Sequence, residues 1–164
     1  KTLHEQHTIH TTNTSLSSSS SSPPKTCLFL ANLQLTPSDI PITDILSLSS
    51  TLQNLSLASN RLPILPPRLT RGHHLTLLEK LDLQQCDLRV LPPSWHLPRL
   101  RELDVSHNLL RDFPSESFFE GVPVLRTLNL YGNKLAELVL PSSSSRLSSI
   151  VYLNLGYNDI SVSP

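Results

Sequence analysis

The chain has 164 residues, with thirteen Lys and Arg against thirteen Asp and Glu, a formal charge of zero and a pI near 7.2. That balance argues against nucleic acid as the main partner, because domains built to hold it carry a basic face and a high pI. Thirty-five leucines, 25 serines, no Met and only 5% aromatic residues exclude a core built on a few large anchors. The interior must be filled by many equivalent medium-sized side chains, which points to repetition.

Residues 1–26 read as a tail. They hold Leu3, Ile9 and Leu16 as large apolar residues, then an unbroken Ser17–Ser22 run and Pro23-Pro24. Such a segment buries too little surface to offset the entropy of ordering it, so a disordered, Ser-rich extension is expected. His4, His7 and His10 recur every third residue, but a floppy peptide fixes no ligand geometry, and neither metal nor cofactor is assigned. Asn13-Thr14-Ser15 is a formal glycosylation acceptor. The apolar run from Cys27 to Ala31 is shorter than the roughly 7–15 residues of a signal-peptide core. No run reaches the roughly 18–20 residues of a membrane span. Starting at Lys1 without Met, the chain is expected to be a fragment, so a missing signal peptide says nothing about secretion. Cys27 and Cys86 do not form the dense framework of a disulfide-dependent secreted chain, which favours a reducing compartment.

From residue 27 to 164 one short unit recurs. Leu52, Leu55, Leu57, Asn60 and Leu62 repeat as Leu78, Leu81, Leu83, Cys86 and Leu88, then as Leu100, Leu103, Val105, Asn108 and Leu110. Two further copies are Leu125, Leu128, Leu130, Asn133, Leu135 and Ile150, Leu153, Leu155, Asn158, Ile160. A weaker first copy is Leu30, Leu33, Leu35, Ser38 and Ile40. The six copies start near 30, 52, 78, 100, 125 and 150, and the last breaks off at Pro164, so the repeat domain is expected to be incomplete at its C-terminal end.

Each Leu-x-Leu, such as Leu81-Asp82-Leu83, alternates apolar and polar as a half-buried strand does. One strand of that length has nothing to pair with, whereas stacked copies pair in parallel about 4.8 Å apart and close a common core. The turn after the strand leaves backbone groups facing inward. An Asn side chain offers an acceptor and two donors to satisfy them, which predicts a ladder of Ser38, Asn60, Cys86, Asn108, Asn133 and Asn158. Leu65-Pro66-Pro67, Leu91-Pro92-Pro93 and Phe113-Pro114 make the returning half irregular, with short helical pieces at most. His73-His74, Trp95 and Ser142–Ser145 fall on this returning side, as loop and packing residues.

The pattern L-x-x-L-x-L-x-x-N/C-x-L with a period of 20–29 resembles the leucine-rich repeat. The resemblance implies an α/β repeat solenoid, a right-handed horseshoe with a parallel sheet on its concave face. Phe118 is similar to the inward Phe of the type common in extracellular members, while the Pro-containing copy at Leu78 is more like cytoplasmic scaffolds. Such families use the concave face to bind proteins. On it the row between the strand leucines reads Gln34, Ser56, Asp82, Asp104, Asn129 and Asn154. The row one residue past the strand ends in Tyr131 and Gly156, the next contains His107 and Tyr157, and the row before the middle Leu ends in Tyr152. The candidate partner-binding residues are therefore Glu79, Asp82, Glu102, Asp104, His107, Tyr131, Tyr152 and Tyr157, which fit a basic, partly apolar protein.

Asp104, Ser106 and His107 could be drawn as a hydrolytic triad, but neighbours on one strand alternate faces, and no phosphate loop, H-E-x-x-H or G-x-S-x-G occurs. Asn54-Leu55-Ser56, a second formal acceptor, falls on a packed strand. The reading is a non-catalytic protein-interaction scaffold, a cytoplasmic adaptor or regulatory subunit in signalling. The alternatives are part of an extracellular receptor ectodomain, or the recognition region of a larger kinase or ubiquitin ligase.

Overall fold

The computed structural model describes residues 10–13, 26–72, 74–141 and 147–161. Strands β1 (His10–Asn13), β2 (Thr26–Phe29), β3 (Leu52–Ser56), β4 (Lys80–Asp82), β5 (Glu102–Asp104), β6 (Thr127–Asn129) and β7 (Tyr152–Asn154) form one sheet in chain order. From β2 to β7 every neighbouring pair is parallel. The register stacks Leu28, Leu55, Leu81, Leu103, Leu128 and Leu153 in one row. From Leu28 to Leu128 this row is buried, and Leu153 is half-buried. At about 1.5–3 kcal/mol for each Leu removed from water, such rows are the main favourable term holding coil to coil. This is the leucine-rich repeat solenoid.

The first coil is registered differently from the sequence reading. Leu28, not Leu33, pairs with Leu55, so Leu30 takes the place of Leu57, Leu33 that of Asn60 and Leu35 that of Leu62. Leu30 and Leu35 fill leucine positions in both frames, and only pairing with the next coil chooses between them. Ser38 consequently leaves the ladder and is exposed. Phe29, 50% exposed, occupies the strand row assigned to Gln34.

The expected tail differs at five residues: Thr26 opens β2, and His10–Asn13 pairs antiparallel with that strand. An unpaired β2 edge offers a row of free backbone groups, and a Thr-rich segment is suited to cover it. The rest of residues 1–25 lies outside the described residues, as do His73 and the 142–146 part of the serine loop.

On the returning side, α1 (Ile42–Ser47), α2 (Pro67–Thr70) and α3 (Glu116–Gly121) are each shorter than two turns. Pro67 opens α2, where its missing N–H costs nothing. The coil with Leu91-Pro92-Pro93 has no helix among the described residues. Phe118 is buried and meets Trp95 edge-on at 5.0 Å and Phe119 at 5.1 Å. A Cβ on Gly121 would stand 1.9 Å from the Trp95 carbonyl oxygen, so the residue is fixed by close backbone approach.

Candidate partner-binding face

The end of each strand is built by two side-chain ladders. In the inner one, Asn108 Oδ1 accepts the N–H groups of Cys86 and Leu88, both at 2.9 Å. Its Nδ2 donates to the carbonyls of Leu83, Val105 and Ser106 at 2.8, 2.9 and 3.2 Å. Asn60, Asn133 and Asn158 repeat the arrangement. Cys86 holds the same place with less to offer: its Sγ lies 3.1 Å from the Leu57 carbonyl. Burial pushes this thiol up to about 11, which leaves it neutral and unreactive.

The outer ladder is absent from the sequence reading. Asp82 Oδ1 accepts the Gln84 N–H at 3.1 Å, Asp104 Oδ1 the Ser106 N–H at 2.9 Å, Asn129 Oδ1 the Tyr131 N–H at 3.2 Å, and Asn154 Oδ1 the Gly156 N–H at 3.1 Å. Each side chain folds back on the backbone two residues ahead, the local turn that Asp and Asn favour. Rungs are tied sideways as well: Ser56 Oγ donates to Asp82 Oδ2 at 2.8 Å, and Asn129 Nδ2 to Asp104 Oδ2 at 3.0 Å. Both carboxylates therefore serve the turn of their own coil. Asx spacing along L-D-L-x and L-N-L-x was a signal that could have revealed this.

Beyond the outer ladder, Asn32, Ser59, Gln85, His107, Gly132 and Tyr157 all have φ between 53° and 66°. This left-handed step turns the chain while its N–H still bonds the next coil, as His107 does to the Tyr131 carbonyl at 2.8 Å. Only Gly132 takes that conformation without steric cost, about 1–2 kcal/mol for the others.

The site residues separate into three groups. His107, Tyr131 and Tyr157 are brought together: His107 meets Tyr131 edge-on at 5.2 Å and Tyr131 meets Tyr157 at 5.0 Å. Gly132 and Gly156 make room, since a Cβ would come 3.0 Å from His107 Nδ1 and 3.2 Å from the Tyr131 ring. Tyr157 is 81% exposed, and Tyr152, five residues earlier at the start of β7 in the same coil, 52%. Glu102 is bound to Lys80 at 2.7 Å across β4 and β5, both about half exposed. Glu79 precedes β4, half-buried, with its carbonyl accepting the N–H of Arg101 and of Glu102.

The three residues of the imagined triad are arranged otherwise. Ser106 is buried and donates its hydroxyl to Asp104 Oδ1 at 2.6 Å, and the His107 ring lies against Tyr131. Asn54, the other formal glycosylation residue, is half-buried with Nδ2 3.2 Å from Cys27 Sγ. Among the described residues no cluster of His, Cys, Asp and Glu could hold a metal ion, and no helix is long and apolar enough to cross a membrane.

Stacked parallel strands, an Asn ladder and an open side-chain face define a repeat protein that works by surface recognition. The leucine rich repeat family matches residues 76–135 and 98–160, and the chain belongs to it. It is similar to mouse CD180 antigen, 33% identical over 141 residues, covering 80% of this chain and 21% of that protein. Cattle Toll-like receptor 3 is 36% identical over 146 residues, covering 80% and 16%. Among solved structures, a leucine-rich repeat protein of Leptospira interrogans superposes with a TM-score of 0.67 at 28% identity, covering 82% of this chain and 32% of that one. The chain thus spans a minor part of the length of these relatives. Membership and the receptor names among the relatives support a protein-interaction scaffold.

Proposed function

We propose that the chain is the partner-binding segment of a receptor at the cell surface, holding a protein on the sheet face through His107, Tyr131, Tyr152 and Tyr157. The carrying observation is the aromatic row: Tyr157 stands 81% exposed in a left-handed backbone where the preceding coil uses Gly132. The other coils place Asn32, Ser59, Gln85 and His107 in the same conformation, so what sets Tyr157 apart is its large, exposed ring. Tyr rings are also the residues on which binding energy concentrates. Asp82 and Asp104, though engaged within the ladder, together with Glu102 and Glu79, keep the middle of the face acidic. The partner is therefore a protein with a basic, partly apolar surface. Receptor names among the relatives favour the cell surface, and the cytoplasmic adaptor expected from the Pro-containing coil finds no support there.

The test is a binding screen against a panel of secreted and ectodomain proteins, with the wild type compared to the Tyr131→Ala/Tyr157→Ala double variant. A partner bound by the wild type is expected to lose about tenfold or more in Kd, with an unchanged circular dichroism spectrum. Equal affinity for every partner found would refute the assignment of the face.

A further inference from the structure

The edge of the solenoid that follows the ladder asparagines carries a second surface. Arg61 and Lys134 come one residue after Asn60 and Asn133, and Arg89 and Arg111 three residues after Cys86 and Asn108. This gives one cation in each of four consecutive coils. Backbone bonds hold the coils in register here, Arg89 N–H to the Pro63 carbonyl at 3.1 Å and Lys134 N–H to the Leu110 carbonyl at 2.8 Å. All four side chains are exposed, and none is ion-paired or hydrogen-bonded among the described residues. They line two open grooves of about 820 and 560 Å³ that share Arg89 and Leu109. Four cations face two carboxylates, Asp87 and Asp159, in a chain whose total charge is zero. The floor between them is aliphatic: Leu109, 39% exposed, with Pro63 and Ala136 on either side.

We propose that this edge seats an extended acidic peptide segment of a partner protein, its carboxylates meeting Arg61, Arg89, Arg111 and Lys134 and an aliphatic side chain resting on Leu109. The mixed pattern selects a peptide over a uniform polyanion. A sulfated polysaccharide or a nucleic acid brings charge at every repeat and would confront Asp87 and Asp159. A peptide can place neutral residues there and an apolar one over the floor. None of His107, Tyr131, Tyr152 and Tyr157 lines either groove, so variants on the two surfaces test the two proposals independently.

The experiment uses a fluorescein-labelled peptide of repeating Glu-Glu-Leu, read by fluorescence anisotropy at about 50 and about 200 mM salt. The wild type is expected to bind, more weakly at high salt. The Arg89→Glu/Arg111→Glu variant is expected to lose at least about tenfold, and Leu109→Ser about threefold, the share of one aliphatic contact. Tyr131→Ala/Tyr157→Ala is expected to bind as the wild type does. All these positions are solvent-accessible, and circular dichroism checks each fold. Undiminished binding by the charge-reversal or the Leu109 variant overturns the proposal. So does loss in the tyrosine variant, or tighter binding of heparin or double-stranded RNA than of the peptide at about 200 mM salt.

Discussion

Removing Asn108 tests how much the inner ladder holds. The Asn108→Ala change takes away five hydrogen bonds at a buried site. The N–H groups of Cys86 and Leu88 lose their side-chain acceptor with no water in reach, at about 1–3 kcal/mol each. The carbonyls of Leu83 and Val105 lose a donor, a milder loss because a carbonyl has two lone pairs. The sum is about 3–5 kcal/mol, a large share of the roughly 5–15 kcal/mol by which domains are stable. Asn158→Ala is the control. Asn158 makes the same kind of contacts but is half-buried, so water can take over the freed groups and the loss should be about 1 kcal/mol. Urea unfolding followed by circular dichroism measures both. Equal losses, or a loss under about 1 kcal/mol for Asn108→Ala, would refute the idea that buried backbone groups are what the ladder satisfies.

Four other outcomes are expected. Cys86→Asn should raise stability by about 1 kcal/mol in the same assay, since an amide supplies full-strength donors where the thiol makes only weak contacts with the Leu57 and Gln84 carbonyls. The raised Cys86 pKa favours the neutral thiol in the folded state. Its contribution is therefore complete below about pH 9 and lost as pH rises through about 11; the urea midpoint should fall across that window by more for the wild type than for Cys86→Asn. Gly121→Ala should cost more than about 3 kcal/mol, as α3 must move off the Trp95 carbonyl; a thermal midpoint within about 2 °C of the wild type would contradict the close approach.

Tyr157→Gly separates packing from recognition. Relief of the left-handed backbone offsets the lost contact with Tyr131, so stability should change by less than about 1 kcal/mol while partner binding falls. A marked loss of stability would mean that the ring is there to pack.

Local sequence alone determined the repeat, because the spacing of Leu55 and Leu57 or Leu128 and Leu130 can bury both residues only on one side of a short strand. It also gave Asn60, Asn108, Asn133 and Asn158 their places, since a turn after the strand demands an amide. Only contact between coils decided the rest. Leu30 and Leu35 fill leucine positions in two frames, and the pairing of Leu28 with Leu55 selected one. Asp82 and Asp104 read as free acids until their turns and the neighbouring Ser56 and Asn129 claimed their oxygens. Glu102 found Lys80 one coil away. The cations at 61, 89, 111 and 134 are scattered along the chain and become one surface only when the coils stack. A side chain's immediate neighbours in sequence fix its backbone, but in a solenoid its partners lie a whole repeat away, and that distance is where single-chain reading loses sight of charge and register.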